Sequence, residues 1–132
     1  MTNKELTLKA VEAQKKSISP YSNFRVGAAL LTKEGNVYQA ANVETSSYSL
    51  TMCAERNAVF HAVLEGERNF EAISVVCDTD DFCPPCGACR QVLLELCGED
   101  LDVIMKNGKN EIKVMKIKEL LPLSFNSEYL NK

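Results

Sequence analysis

Several features that would point to a membrane, secreted or nucleic-acid-binding protein are missing from this chain of 132 residues. No apolar run approaches the ~18 residues of a membrane span, and the first residues lack the apolar core of a signal peptide. Lys and Arg are spread along the sequence instead of forming a basic tract, and the formal net charge is −3. We therefore expect a cytoplasmic protein that binds neither a membrane nor nucleic acid.

Histidine is also scarce, whereas the chain carries six cysteines. Without an export signal, the reducing cytosol disfavours a disulfide framework, so metal binding is the better explanation for the cysteines. The only histidine, His61, falls on an apolar helical pattern, and we interpret it as a packing or interface residue. The length is that of one ordinary domain, which we place at residues 1–132 without an internal boundary.

Hydrophobic periodicity and turn residues predict an α/β fold. Glu34-Gly35-Asn36 and Asn107-Gly108 each separate two strand-like runs and so mark hairpins. The predicted elements are helices at Asn3–Ile18, Cys53–Leu64, Gly87–Cys97 and Lys118–Leu121, and strands at Arg25–Lys33, Val37–Asn42, Ala72–Cys77, Leu101–Lys106 and Glu111–Ile117. This order predicts three α/β/α layers around a mixed five-stranded sheet.

The same order predicts that two distant motifs meet. Right-handed crossovers bring the first turns of both central helices to one edge of the sheet, beyond the carboxyl ends of the strands. Cys53 and Glu55 begin one of these helices, and Cys86 and Cys89 begin the other. We expect these four side chains to form one site.

The three cysteines have the pattern of a catalytic zinc site. The spacing of Cys86 and Cys89 puts both sulfurs on one side of a first helical turn, and Cys53 has the same place on its own helix. The partial positive charge of a helix N-terminus favours thiolate, which is the form that binds metal. Three ligands leave one tetrahedral position open for water, as in catalytic zinc sites.

Glu55 lies about 200° around the helix from Cys53, so we expect it near the metal but not bound to it. A carboxylate in that position can act as a general acid and base. Arg56 and Arg90 are candidates to donate hydrogen bonds to the sulfurs, which would offset the negative charge that three thiolates leave on Zn²⁺. A surface ion pair is the alternative for both arginines.

Two structural alternatives stay open for the cysteines. Cys83 begins a second, overlapping CxxC, so it could be the fourth ligand of a closed structural zinc site. Cys86 and Cys89 could instead form a redox dithiol at the start of a helix. Cys77 and Cys97 are interpreted as small hydrophobic residues in the core.

These motifs together resemble the cytidine deaminases, in particular the small homotetrameric class with three cysteine ligands to zinc. The pair C-x-E and P-C-x-x-C is the signature of zinc-dependent deaminases of nucleobases and nucleosides, with Cys in place of the first His. The resemblance covers most of the chain. Its matching segments are Pro20–Ala29, Asn42-Val43-Glu44, Cys53–Ala58, Pro85–Gln91, and Leu120-Leu121-Pro122 with Phe125.

The resemblance implies that Cys53, Cys86 and Cys89 hold one Zn²⁺ per subunit. It also implies that Glu55 moves protons while a zinc-activated water replaces the amine at C4 of cytosine. The residues that it places at the substrate are Phe24, Asn42, Val43, Glu44, Tyr48, Ala54 and Phe125. Among these, Phe24 would lie against the pyrimidine, Asn42 and Glu44 would hold the ribose, and Tyr48 and Phe125 would come from neighbouring subunits.

The implied reaction is hydrolysis of cytidine and deoxycytidine to uridine and deoxyuridine with release of ammonia, as part of pyrimidine salvage. A homotetramer is implied as well, and the nearly all-apolar pattern of Cys53–Leu64 supports it, because a lone domain would struggle to cover such a helix. The alternatives are a deaminase of a related cytosine-containing nucleoside antibiotic and a non-catalytic, zinc-stabilised interaction domain that uses Cys83 as a fourth ligand.

Overall fold

A mixed five-stranded sheet lies at the centre of the computed structural model, which describes residues 1–130 apart from the side chain of Tyr129. Strand order is β2-β1-β3-β4-β5, with β3 and β4 parallel and the other neighbours antiparallel. The elements are α1 Asn3–Gln14, β1 Val26–Thr32, β2 Val37–Ala41, α2 Ala54–Leu64, β3 Phe70–Cys77, α3 Gly87–Cys97, β4 Asp102–Lys106, β5 Ile112–Lys116 and α4 Ile117–Leu120. Short 3-10 turns occupy Tyr48–Leu50 and Ser127–Leu130.

Helices cover both faces of this sheet, as the sequence predicts. Leu6 and Ala10 of α1 pack on one face against Ala29, Leu31 and Ile104. On the other face, apolar side chains from α2, α3 and α4 share a core with the sheet: Ala28, Leu30, Ala54, Ala58, Val59, Ile73, Val75, Leu93, Val103 and Ile117. The three-layer α/β/α architecture is therefore confirmed.

The packing of α1 on β1 depends on Gly27. A Cβ atom at this position would lie 2.1 Å from the carbonyl oxygen of Ala10 and 2.5 Å from the backbone nitrogen of Gln14. Both neighbours are backbone atoms of a helix, which cannot move aside as a flexible side chain can. Gly27 thus sets how closely α1 approaches the sheet, just after the segment that carries Phe24.

The prediction that α1 extends to Ile18 is wrong, because the helix ends at Gln14. Backbone groups of Ile18 are used by the segment that follows β2 instead. Ile18 donates to the Asn42 carbonyl at 3.0 Å and accepts from the Glu44 N–H at 2.8 Å. This pairing brings residues 19–24 alongside the end of β2.

The predicted meeting of two helix N-termini is confirmed. Strands β2 and β3 each pair antiparallel with β1, so they run in the same direction. The helices α2 and α3 follow these two strands, and their N-cap residues are Cys53 and Cys86. Both caps therefore lie at the same edge of the sheet.

Candidate metal centre

Three cysteine sulfurs come together where α2 and α3 begin. Cys53 and Cys86 are the N-cap residues of the two helices, and Cys89 lies in the first turn of α3. The Cys53 and Cys86 sulfurs are 3.8 Å apart, and those of Cys86 and Cys89 are 3.3 Å apart. Across residues 1–130, this is the one group of at least three Cys, His, Asp or Glu side chains placed to hold a metal ion.

The chemistry of this group fits zinc. Three thiolates are soft ligands of the kind that select Zn²⁺ over Mg²⁺ or Ca²⁺, and their sulfurs all lie within 4.8 Å of one another. Cys83 does not belong to the group, so the closed four-cysteine site predicted as an alternative does not form among the described residues. A three-cysteine set leaves a coordination position for a fourth, non-protein ligand.

Arg56 is the positively charged neighbour of these sulfurs. Its Nη2 donates to the Cys53 sulfur at 3.4 Å. The pKa of the Cys53 thiol is lowered to about 5, mainly by a hydrogen bond from the Cys89 thiol and further by Arg56. The pKa of Cys89 is raised, because its proton is shared with the Cys53 sulfur and because the thiol is buried.

The two arginines have different contacts. Arg90 donates from Nε to the Pro85 carbonyl and from Nη1 to the Leu120 carbonyl, both at 2.8 Å. Its guanidinium therefore holds the loop before α3 against α4, and the hypothesis that Arg90 bonds the sulfurs is wrong. Of the two arginines, Arg56 is the one that donates a hydrogen bond to a ligand sulfur, as predicted.

Glu55 is almost fully buried, with 4% of its surface exposed. Its pKa is raised to about 7, first because burial disfavours the charged carboxylate and also because the Cys53 thiolate lies nearby. A carboxyl group with a pKa near neutrality can both accept and donate a proton. Perturbed carboxyls in a cleft are typical of catalytic sites.

A pocket of about 240 Å³ opens beside this cluster. Five residues singled out from the sequence line it, namely Phe24, Asn42, Cys53, Glu55 and Cys86. The remaining wall is made by Val26, Thr51, Cys83 and Pro84, which sequence reasoning did not assign to the substrate. Pro84 adjoins the CxxC motif and could have been found from that position, whereas Val26 and Thr51 carry no chemical signal of their own.

Asn42 is buried, and its amide holds the segment around Phe24. Its Nδ2 donates to the Phe24 carbonyl at 2.9 Å, and its Oδ1 accepts from the Val26 N–H at 3.0 Å and from the Ser17 hydroxyl at 2.5 Å. An amide carries two N–H donors. Among the described residues, Nδ2 donates only to Phe24, and Asn42 lines the pocket, so the second N–H is available to a ligand.

Glu44 anchors the same segment from the other side. Its carboxylate accepts from the backbone N–H groups of Tyr21 and Ser22, at 3.2 and 3.1 Å, and from the Ser22 hydroxyl. These bonds, led by that of the Ser22 hydroxyl, lower the pKa of Glu44. Glu44 is therefore ionised at neutral pH and can accept further hydrogen bonds.

The other predicted substrate residues do not line the pocket of this single chain. Ala54 is fully buried in the first turn of α2, and Val43 follows the end of β2 with 40% exposure. Tyr48 is 67% exposed and lies edge-on to Tyr21, with ring centroids 6.1 Å apart. Phe125 is 52% exposed, and its carbonyl accepts from Gln91 Nε2 at 2.8 Å.

The interpretation of Cys77 as a core thiol is wrong for this structure, although the six cysteines do not form a disulfide framework, since four of them are free. Cys77, the last residue of β3, is joined to Cys83 by a disulfide, with their Cα atoms 6.1 Å apart. The loop that follows β3 folds back on the strand, so the two side chains meet. Cys97 packs against the core as predicted, and burial raises its pKa to about 12.

Comparisons with known proteins agree with one another. The family described as "Cytidine and deoxycytidylate deaminase zinc-binding region" matches residues 1–105. A cytidine deaminase of Halalkalibacterium halodurans is 48% identical over 131 residues, covering 99% of each chain. One from Sporosarcina psychrophila is 44% identical over 131 residues, covering 99% of this chain and 96% of that protein.

Solved structures give the same result. The crystal structure of a cytidine deaminase from Burkholderia pseudomallei superposes with a TM-score of 0.92 at 46% identity, covering 95% of this chain and all of the other. That of a cytidine deaminase from Mycobacterium tuberculosis has a TM-score of 0.81 at 36% identity, covering 92% and 94%. Among the described residues, no helix is long and apolar enough to cross a membrane.

Proposed function

The chain belongs to the cytidine and deoxycytidylate deaminase family, and from that premise we propose that it hydrolyses cytidine and deoxycytidine to uridine, deoxyuridine and ammonia. The observation that carries the proposal is the buried Glu55, placed with two of the three clustered cysteines on one pocket wall. Cys53, Cys86 and Cys89 would hold zinc, which when bound activates water as a nucleophile.

Glu55 is the proton carrier in this proposal. Because its pKa is raised to about 7, it is partly protonated at neutral pH and can deliver a proton to N3 of the cytosine ring. It then takes one proton from the attacking water and passes it to the departing amine, and the second proton of that water restores the protonated carboxyl when the C4 carbonyl forms. Burial in the pocket wall keeps bulk water from competing for that proton.

Arg56 offsets the charge of the thiolates. Three thiolates around Zn²⁺ give a formal charge of −1, which weakens the ability of the metal to acidify water. The hydrogen bond from Arg56 to the Cys53 sulfur withdraws part of that charge. Arg56 acts through the sulfur and does not contact the substrate.

Phe24, Asn42 and Glu44 would position the nucleoside. The Phe24 ring lies at the pocket, where a flat pyrimidine can pack against it. One amide N–H of Asn42 and the carboxylate of Glu44 match the hydroxyl groups of a sugar. Ala54 and Val43 would contribute through their backbone groups, because their side chains offer no polar atom.

Tyr48 and Phe125 are proposed to complete the site of a neighbouring subunit in a homotetramer. Both rings are more than half exposed, and neither lines the pocket of its own chain. A cytoplasmic role in pyrimidine salvage is proposed on the same family basis. Mixing inactive Glu55→Gln and Phe125→Ala subunits under exchange conditions tests the sharing, because hybrid tetramers should regain activity and the separate variants should not.

The central test follows loss of ultraviolet absorbance when zinc-loaded protein is mixed with cytidine or deoxycytidine. Glu55→Gln at equal zinc content should lower kcat by roughly 10²- to 10⁴-fold. Glu65→Gln, the same change at the exposed end of α2, is the matched control and should retain activity. Zinc-loaded protein that deaminates neither nucleoside would refute the proposal, and full activity of Glu55→Gln would refute the role of Glu55.

A further inference from the structure

The two cysteines outside the zinc group that meet in the structure are Cys77 and Cys83. Their sequence separation is six residues, and the loop between them carries no helix or strand. Neither sulfur is among the three that could hold zinc. The deamination chemistry proposed above makes no use of this pair.

The pair nevertheless reaches the pocket. Cys77 lies opposite Val26 in the antiparallel pairing of β3 with β1, and Val26 lines the pocket. Cys83 and Pro84 line the same pocket from the loop. The bond between the two sulfurs therefore ties one wall of the pocket to the sheet.

Other contacts hold the first half of this loop. Asp78 accepts two hydrogen bonds from the Arg25 guanidinium, at 2.9 and 3.0 Å, and the Asp80 carbonyl accepts from the Gly108 N–H at 2.8 Å. Among the described residues, no backbone-to-backbone hydrogen bond involves Cys83 or Pro84. The disulfide is thus a covalent restraint on this part of the wall, in addition to the packing of Cys83 against the core.

We propose that Cys77 and Cys83 form a reversible oxidation site whose state sets the rigidity of the pocket wall. Both residues are half-buried, so a small thiol or disulfide of the glutathione class can reach them. Oxidation removes two electrons and two protons from the two thiols and forms their S–S bond. One molecule of oxidised glutathione accepts the two electrons and the two protons. Its own S–S bond breaks, which gives two glutathione thiols.

Peptide mapping tests the site itself. Zinc-loaded protein is equilibrated with reduced or oxidised glutathione, alkylated, and digested with a protease that cuts before Asp, which separates Cys77 from Cys83 at Asp78, Asp80 and Asp81. We expect the two peptides to be linked after oxidation and separate and alkylated after reduction. Absence of the linked peptide after oxidation, or its persistence in excess reduced glutathione, would overturn the proposal.

Amide hydrogen exchange tests the wall without reference to activity. Reduction should speed exchange in residues 79–83, because the loop then opens locally more often, while α1 on the far side of the sheet is unchanged. The Cys77→Ala/Cys83→Ala variant should exchange at the reduced rate in both buffers, and Cys97→Ala should keep the response of the natural protein. Equal exchange in both states of the natural protein would overturn the wall role.

The kinetic test rests on the proposed deamination. We expect KM for cytidine to rise roughly three- to tenfold on reduction with kcat little changed, since a looser wall weakens ground-state and transition-state binding alike. Zinc content is measured in both buffers and should stay constant. Zinc loss in parallel with the KM change would assign the effect to the metal ligands and refute the role of the Cys77–Cys83 bond in substrate binding. Should neither state deaminate cytidine, the proposed function fails, while mapping and exchange still decide the oxidation site.

Discussion

Replacing Glu55 by Gln should make the metal-free protein more stable at alkaline pH. Glu55 has 4% of its surface exposed, and its pKa is raised from the usual 4.5 to about 7, mainly by burial. The folded chain therefore holds this proton more tightly than the unfolded chain does. Gln has the shape of the protonated acid and carries no charge at any pH.

The sign and size follow from proton linkage. Below pH 4.5 the carboxyl is protonated in both folded and unfolded chains, so it adds no pH dependence. Between pH 4.5 and about pH 7, the Glu55 carboxyl ionises in the unfolded chain but stays protonated in the folded chain. The free energy of unfolding of the natural protein therefore falls as the pH rises. At about 1.4 kcal/mol for each pH unit, a shift from 4.5 to about 7 gives a loss above pH 7 of at most about 3.5 kcal/mol.

Urea denaturation of chelator-treated protein at about pH 4.5 and about pH 9 measures this difference. The free energies of unfolding of Glu55→Gln and of the natural protein should agree at the lower pH and diverge at the higher, where the variant is more stable. Glu65→Gln, at the exposed C-cap of the same helix, should show no such divergence. Equal stability of Glu55→Gln and the natural protein at the higher pH would refute the argument from burial.

Three further substitutions test how the site is held. Gly27→Ala puts a Cβ 2.1 Å from a carbonyl of α1 and should lower the free energy of unfolding in urea by about 3 kcal/mol; a loss below about 0.5 kcal/mol would contradict the close approach. Arg56→Gln removes a donor to a ligand sulfur and should weaken zinc binding about 10- to 100-fold in a chelator competition, whereas unchanged affinity would deny its role. Asp78→Asn loosens Arg25, the neighbour of Phe24, and should raise KM for cytidine about threefold, which steady-state kinetics can confirm or exclude.

The sequence predicts the meeting of the zinc cysteines because chain direction alone determines it. Helices that follow strands of the same direction begin at the same sheet edge, so Cys53 and Cys86 were placed correctly without knowledge of any side-chain contact. The end of α1 was misplaced because Ile18 has a competing partner in the segment after β2, 24 residues further along the chain. Helical periodicity reports local preference and contains no information on such a partner.

The disulfide was missed for a different reason. The prediction against disulfides used only the reducing state of the cytosol. That state does not determine which cysteines the loops of the fold bring together. Cys77 and Cys83 meet because the chain reverses after β3, and no residue pattern between them indicates that reversal. Conversely, the CxxC formed by Cys83 and Cys86 is a real sequence pattern whose two sulfurs have different partners in the fold.

In the proposed function, Asn42 and Glu44 would bind the substrate and also hold the shape of the pocket. Asn42 bonds the backbone on both sides of Arg25, and Glu44 bonds the two residues at the start of the segment that leads to Phe24. Truncating either side chain would remove a proposed sugar contact and also release the segment that carries Phe24, which lines the pocket. A loss of binding after such a truncation therefore has two causes. Ligands that lack the sugar hydroxyl separate the two causes. If the side chain only contacts the sugar, the truncation should not weaken binding of such a ligand. If the truncation misplaces Phe24, binding of such a ligand should weaken as much as binding of the full nucleoside.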